Sequence, residues 1–363
     1  MSRGGRMLAI VLCCLVLLAT GSHATSQRPI GDTRVFARVP EPGMPEGIAV
    51  RDGLAYVGSH VSVRGNSGAG PSKIFLYDLR TGKRRGAITI RGQKKDETHG
   101  ILGMAFDASG DLFVLDRNPP RMLRIDVSAS PPKQTTHATF PDLAPCHSSD
   151  EPCSPTTIDA APFPDYFAFD GAGNAYVTDL EQAAIFLVPP KGGKAKIFFA
   201  DARLDSIFGR NGIAVDPGRK KLYFAMTGSI QPTEPTQGLI YTLPLKPRVK
   251  ADDVEVFFHY LEPATGPDGI AFGRSGKLYV ALAGSNQVSI LNPDGSEEMR
   301  FPTAVENEQQ GTPYDLPASI AFDGKGSLLV TNQSFFAANP DNWVVFDVFV
   351  DDVALPLIEP RIP

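Results

Sequence analysis

The chain has one tryptophan, six histidines and four cysteines in 363 residues, and each scarcity narrows the chemistry open to it. No His-Glu-x-x-His pair offers a zinc site, and no dinucleotide glycine fingerprint follows a strand. No Gly-x-Ser-x-Gly elbow presents a nucleophilic serine. Gly65 to Gly70 is glycine-rich, but no Lys-Ser/Thr follows it, so it reads as flexible rim and not as a phosphate loop. Lys and Arg are never massed: the formal charge is −5 with the signs interspersed, which leaves no basic face for nucleic acid. A 3.6-residue apolar period is nowhere sustained, so a helical bundle is excluded.

One apolar run does stand out. Arg3 and Arg6 precede Met7 to Thr20, and Ser22-His23-Ala24 places small residues where a signal peptidase cuts. Residues 1–24 read as a secretory signal peptide, too short for a bilayer span of about 20 residues. The protein is therefore expected to be secreted or periplasmic, with no membrane attachment after cleavage. Losing Arg3 and Arg6 takes the formal charge from −5 to −7. Cys13 and Cys14 leave with the leader. Cys146 and Cys153 remain, in a Pro/Ser-rich loop between Lys133 and Phe163. In an exported protein such a pair reads as a disulfide; the metal reading, with His147, lacks a fourth ligand.

What the chain has in abundance is glycine and proline, 35 and 32 residues, together with repetition. Pro267-Asp268-Gly269-Ile270-Ala271-Phe272 is echoed at Pro45-Glu46-Gly47-Ile48-Ala49-Val50 and at Arg210-Asn211-Gly212-Ile213-Ala214-Val215. Weaker copies begin at Ile101, Pro164 and Pro317. Each is followed by a polar turn and a second apolar run, such as Leu54-Ala55-Tyr56-Val57 or Lys277-Leu278-Tyr279-Val280. A period of roughly fifty residues falls in the range of propeller blades. The expected fold is all-β: one six-bladed β-propeller over residues 25–363, with the strand Thr33 to Val39 closing the ring against the last blade, Trp343 to Val350.

Inner strands of a propeller line its central channel, so the residues opening them form a ring: Glu46, Leu102, Asp165, Asn211, Asp268 and Ala318. Four carry side-chain oxygen. Oxygen ligands without thiolates or paired histidines suit a hard cation, calcium before magnesium. Three carboxylates facing each other without one would repel and take up protons. The competing reading is that Asp and Asn merely cap turns, which accounts for each alone and not for their convergence.

This pattern resembles the senescence marker protein-30, gluconolactonase and luciferin-regenerating-enzyme family of six-bladed propellers, with diisopropyl fluorophosphatase and, more distantly, paraoxonase among its relatives. The family carries Glu-Gly at the first blade, Asn at the third, Asn-Gly at the fourth and Asp-Gly at the fifth. Glu46-Gly47, Asn211-Gly212 and Asp268-Gly269 match; Asp165 stands where Asn is usual and adds a negative charge. The resemblance implies an enzyme, a calcium-dependent hydrolase of lactones or related esters. Glu46, Asp165, Asn211 and Asp268 would hold Ca2+ or another divalent cation. Asp268 would also activate water, with covalent attack as the variant. His99, in a paraoxonase-like His-Gly-Ile, is either a proton shuttle or a loop histidine bonded to a backbone carbonyl. His60, Arg64 and Asp179 are candidate substrate contacts. The expected partner is a small-molecule substrate and the expected state a monomer. Two other readings stay open: a non-catalytic binding propeller with a structural metal, and a strictosidine-synthase-like non-hydrolytic enzyme.

Overall fold

The computed structural model describes Met1 and residues 28–61, 70–94, 97–146, 153–156, 159–229 and 236–363. Met1 apart, the expected leader and Arg64 lie outside the described residues. Among the described residues no helix is long and apolar enough to cross a membrane, and the one α-helix is the short Ala304–Gln309.

Strands make up nearly everything else. Each copy of the repeat lies in an inner strand: Pro45–Arg51, His99–Phe106, Pro164–Phe169, Ser206–Val215, Pro267–Phe272 and Pro317–Phe322, the second and fourth of which begin before their copy. From each, three further strands meander outward in antiparallel register. The first set continues through Leu54–Val61, Lys73–Asp78 and Arg84–Thr89. Its second strand runs long enough to pair His60 with Gly100, which joins the first two sets into one sheet. The last set takes its fourth strand from the other end of the chain. Thr33–Arg38 pairs antiparallel with Val344–Phe349, as the alternation of the amino-terminal segment implied.

The inner strands touch one another in chain order, and Pro317–Phe322 comes back to pack on Pro45–Arg51. The arrangement is all-β and propeller-like. Period-two alternation explains why it lacks a single core. Tyr279 points into one intersheet gap with Phe322, whereas its neighbour Val280 points into the other with Phe272. Each sheet is thus apolar on both faces, and the core divides into clusters that fill each successive gap, including that between last and first.

Glycines set how closely the inner strands approach. A Cβ at Gly47 would lie 1.8 Å from the Leu102 carbonyl oxygen, and one at Gly212 would lie 2.4 Å from that of Asp268. No side chain fits there, so these glycines are a packing requirement.

One expected loop is shorter than the spacing suggested. Lys133–Thr139 is the outermost strand of the second set, paired with Arg121–Asp126, so the connection to the third set begins after it. Cys146 and Cys153 are joined in a disulfide within that connection. Reciprocal backbone bonds reinforce it, Cys146 to Ser154 at 2.9 Å and Ser154 to Ala144 at 2.9 Å. Reduction should cost about 2–3 kcal/mol of loop constraint and act locally. Hydrogen exchange with and without reductant should speed up only between residues 141 and 163; faster exchange in the inner strands would contradict this.

Asn332-Gln333-Ser334 has the Asn-x-Ser form of a glycosylation sequon, but Asn332 is fully buried. It accepts from the Asp315 amide at 2.7 Å and donates to the Asn342 carbonyl at 2.9 Å. Its amide is spent inside the fold and is no acceptor for a glycan.

Candidate active site at the channel mouth

Glu46, Asp165, Asp268 and Ala318 are second in their inner strands, whereas Leu102 is fourth in His99–Phe106 and Asn211 sixth in Ser206–Val215. Thr178, Thr227 and Thr331, on the second strands of three sheets, donate their hydroxyls to the carbonyls of Asn211, Pro267 and Glu46 on the next sheet, each at 2.8 Å. These bonds tie one inner strand to the sheet before it, so backbone position at the ring does not depend on the loops.

Glu46, Asp165 and Asn211 are buried, and Asp268 is half-buried. Asp165 Oδ2 and Asp268 Oδ1 are buried without a hydrogen-bond partner. Burial pushes all three carboxyls up, Glu46 to about 7 and the aspartates well above their usual range. Repulsion adds to this: Glu46 acts on both aspartates, and Asp165 acts on Asp268. Arg117 and Arg210 pull Asp165 part of the way back. Arg210 is fully buried, and its Nε donates to the Asp179 carbonyl at 2.8 Å.

The centre of the cluster is a residue that sequence reasoning passed over. Tyr166 occupies the position that is glycine in Glu46-Gly47, Asn211-Gly212 and Asp268-Gly269, and Ser319 occupies it in the last repeat. Their side chains meet across the channel. Tyr166 Oη lies 2.6 Å from Ser319 Oγ and donates to Glu46 Oε1 at 3.2 Å. Gln333 Nε2 donates to the other oxygen of Glu46. The departure of Tyr166 and Ser319 from the glycine column was visible in the repeat. Gln333 lies outside it and carried no signal.

Among the described residues no three His, Cys, Asp or Glu side chains stand close enough together to hold a metal ion. The donor chemistry nonetheless fits an oxygen-seeking cation. Two orphaned carboxylate oxygens are buried at the ring, and Asn211 donates its Nδ2 to Thr227, which leaves its oxygen as the ligand atom.

The remaining candidates are committed elsewhere. His99 is buried, with Nδ1 2.7 Å from the Asn118 carbonyl and Nε2 on that of Lys94. Both ring nitrogens of His99 thus face backbone carbonyls at the start of the strand His99–Phe106, the arrangement of a carbonyl-bonded histidine. Asp179 is fully buried, and its oxygens accept from the amides of Phe163, Glu181 and Gln182 at 2.8–3.0 Å. It caps a turn, and a substrate contact there would strip those amides of their partner. His60 is buried with Nε2 3.1 Å from Arg117 Nη1 and its ring edge-on to Phe335. Burial and the nearby Arg117 hold it neutral.

Residues 167–334 match the family model described as SMP-30/Gluconolactonase/LRE-like region. This stretch of the chain is therefore such a region, and it contains Asn211-Gly212 and Asp268-Gly269. No curated protein matches the sequence significantly. Among solved structures the chain is similar to a calcium-binding protein, regucalcin, from Agrobacterium tumefaciens, at 18% identity and a TM-score of 0.63 over 92% of this chain and 97% of that one. A gluconolactonase from Xanthomonas campestris is 15% identical with a TM-score of 0.54, covering 88% of this chain and 90% of its own. A virginiamycin B lyase from Staphylococcus aureus is 14% identical with a TM-score of 0.54, covering 88% and 99%. These likenesses establish the fold. A fold shared by a lactonase and a lyase does not choose between activities.

Proposed function

We propose that the protein is an exported, six-bladed β-propeller hydrolase of lactones or related esters that works with a divalent cation, calcium by preference. The observation that carries the reading is the pair of orphaned carboxylate oxygens, Asp165 Oδ2 and Asp268 Oδ1, beside Glu46 at the channel mouth. Glu46, Asp165, Asn211 and Asp268 would hold the cation. When bound, it would supply Lewis-acid polarisation of the ester carbonyl. Holding it requires Glu46 to exchange the amide of Gln333 and the hydroxyl of Tyr166 for the ion.

Asp268 is the half-buried member of the set and the one with access to a substrate in the mouth. Its carboxylate takes the proton of the attacking water. Tyr166 and Ser319 close the channel beneath and limit water behind the substrate. Arg117 and Arg210 hold positive charge against Asp165, which keeps its added negative charge tolerable.

The test is a panel of γ- and δ-lactones with purified protein, followed by acid release in a pH-stat with calcium or with chelator. Turnover with calcium that disappears with chelator is expected. Calcium-independent turnover would remove the cation from the mechanism, and no turnover across the panel would remove the hydrolase reading.

A further inference from the structure

Beneath Tyr166 and Ser319, on the side away from the carboxylates, the channel opens into a cavity of about 470 Å³. None of Glu46, Asp165, Asn211 or Asp268 lines it; it adjoins the hydrolase site through Tyr166 and Ser319 but does not rest on that reading.

The repeat explains its walls. The fifth residue of every copy is alanine: Ala49, Ala105, Ala168, Ala214, Ala271 and Ala321 all line the cavity. Six small side chains at one level leave a bore that six larger ones would fill. Isoleucines from the adjacent positions and Met104 complete an apolar wall. Tyr166 and Ser319 line it as well and bring the polar groups, their hydroxyls 2.6 Å apart.

The carboxy-terminal segment forms the far wall. It is tied to the fifth sheet, where the Leu355 amide donates to the Phe272 carbonyl at 3.0 Å. It is tied again to the second sheet, where the Ala108 amide donates to the Pro360 carbonyl at 3.0 Å. In the order of inner-strand contacts those sheets stand opposite each other. The intervening residues can span at most about 17 Å, enough to carry the strap across the channel. Ala354 to Glu359 all line the cavity.

We infer that this cavity is a binding site for a neutral, lipid-like molecule, an aliphatic chain ending in a single hydroxyl or carbonyl that meets Tyr166 and Ser319. The volume lies in the range of small-molecule sites, about 300–1,000 Å³, which pair apolar walls with a few polar groups. Neutrality follows from the rim. Asp216, Asp323 and Arg219 line the cavity, and Glu359, which also lines it, is paired with Arg51 at 3.1 Å. The two remaining carboxylates thus outnumber the one cation, and a carboxylate would meet net repulsion. An apolar bore of this size also has few groups to hold water.

The probe is 1-octanol, titrated by calorimetry into the full-length mature protein, with octanoate as the charged control. Saturable octanol binding is expected, with octanoate at least tenfold weaker. Ala271→Leu, which fills the bore, should weaken octanol at least tenfold. Methyl-labelled methionine gives a second readout on the unaltered protein: the Met104 signal should shift as octanol saturates. This signal settles the location even where Ala271→Leu does not fold. Absence of saturable octanol binding overturns the site. A Met104 signal that stays fixed during saturation overturns its location, and octanoate binding as tightly as octanol overturns the neutral class.

Discussion

Asp268→Asn is expected to lower kcat/KM on any lactone substrate by about 10³-fold, within the 10²–10⁴ range of a lost general base. The substitution keeps the shape of the side chain and one oxygen, so it tests proton uptake with little change in packing. The fold should survive and the cation-free protein should gain stability. Asp268 is repelled by Glu46 and Asp165, and its neutral replacement relieves them both. Loss of turnover with a raised melting temperature is thus the expected pair of results. Retained turnover would remove Asp268 from its role, and lost turnover with a collapsed melting curve would assign it to structure. Asn211→Asp is a useful companion, since it adds a fourth carboxylate and should lower cation-free stability.

Cation-free protein should also grow less stable as pH rises, contrary to proteins whose carboxylates are salt-bridged. Glu46 carries its proton up to about pH 7 in the folded chain, against an ordinary value of 4.5. Folded protein therefore binds more protons than unfolded protein between those values. The stabilising contribution is complete below about pH 4.5 and is lost as pH passes through about 7. Asp165 and Asp268 shift in the same direction and extend the loss upward. For Glu46 alone the loss is on the order of a few kcal/mol, or several degrees of melting temperature. Calcium should reverse the slope, because it favours the ionised form that burial disfavours. At a hundredfold excess over its dissociation constant it should add about 2.7 kcal/mol. Melting curves from pH 5 to 8, chelated and calcium-loaded, check both halves. Parallel curves from metal-free samples would mean that no cation binds at the ring.

The inner strands and their order were legible because the motif itself is a structural necessity. Glycine is forced by the approach of Gly47 to the Leu102 carbonyl, and the alternating apolar residues by gaps on both sides of each sheet. The strand Lys133–Thr139 escaped for the opposite reason. Lys133-Gln134-Thr135-Thr136-His137-Ala138-Thr139 lies at the outer edge and buries only Ala138 fully, so no alternation marks it. At the site, Glu46, Asp165, Asn211 and Asp268 hold equivalent places in the repeat, and Glu46, Asp165 and Asp268 are near enough to raise one another's pKa. No three of the acidic, His or Cys side chains among the described residues, however, stand close enough to hold an ion. His99 and Asp179 stayed ambiguous in the sequence because polar residues near a channel mouth have the same signature whether they face a substrate or a backbone group. Only the partners distinguish them, and those partners are Lys94, Asn118, Phe163 and Gln182, none within the repeat.

The pairing of Thr33–Arg38 with Val344–Phe349 sets the order in which the molecule can be completed. Thr33–Arg38, the first strand among the described residues, must wait for Val344–Phe349, more than 300 residues on, before it has a partner, and it is the outermost strand of its sheet. Until then the sheets can form singly and stack, but the circle has a free end on either side. Such a long-range closure is slow and comes late. A chain shortened at either end would keep most of its strands and still expose two unpartnered apolar sheet faces, the state in which such chains aggregate.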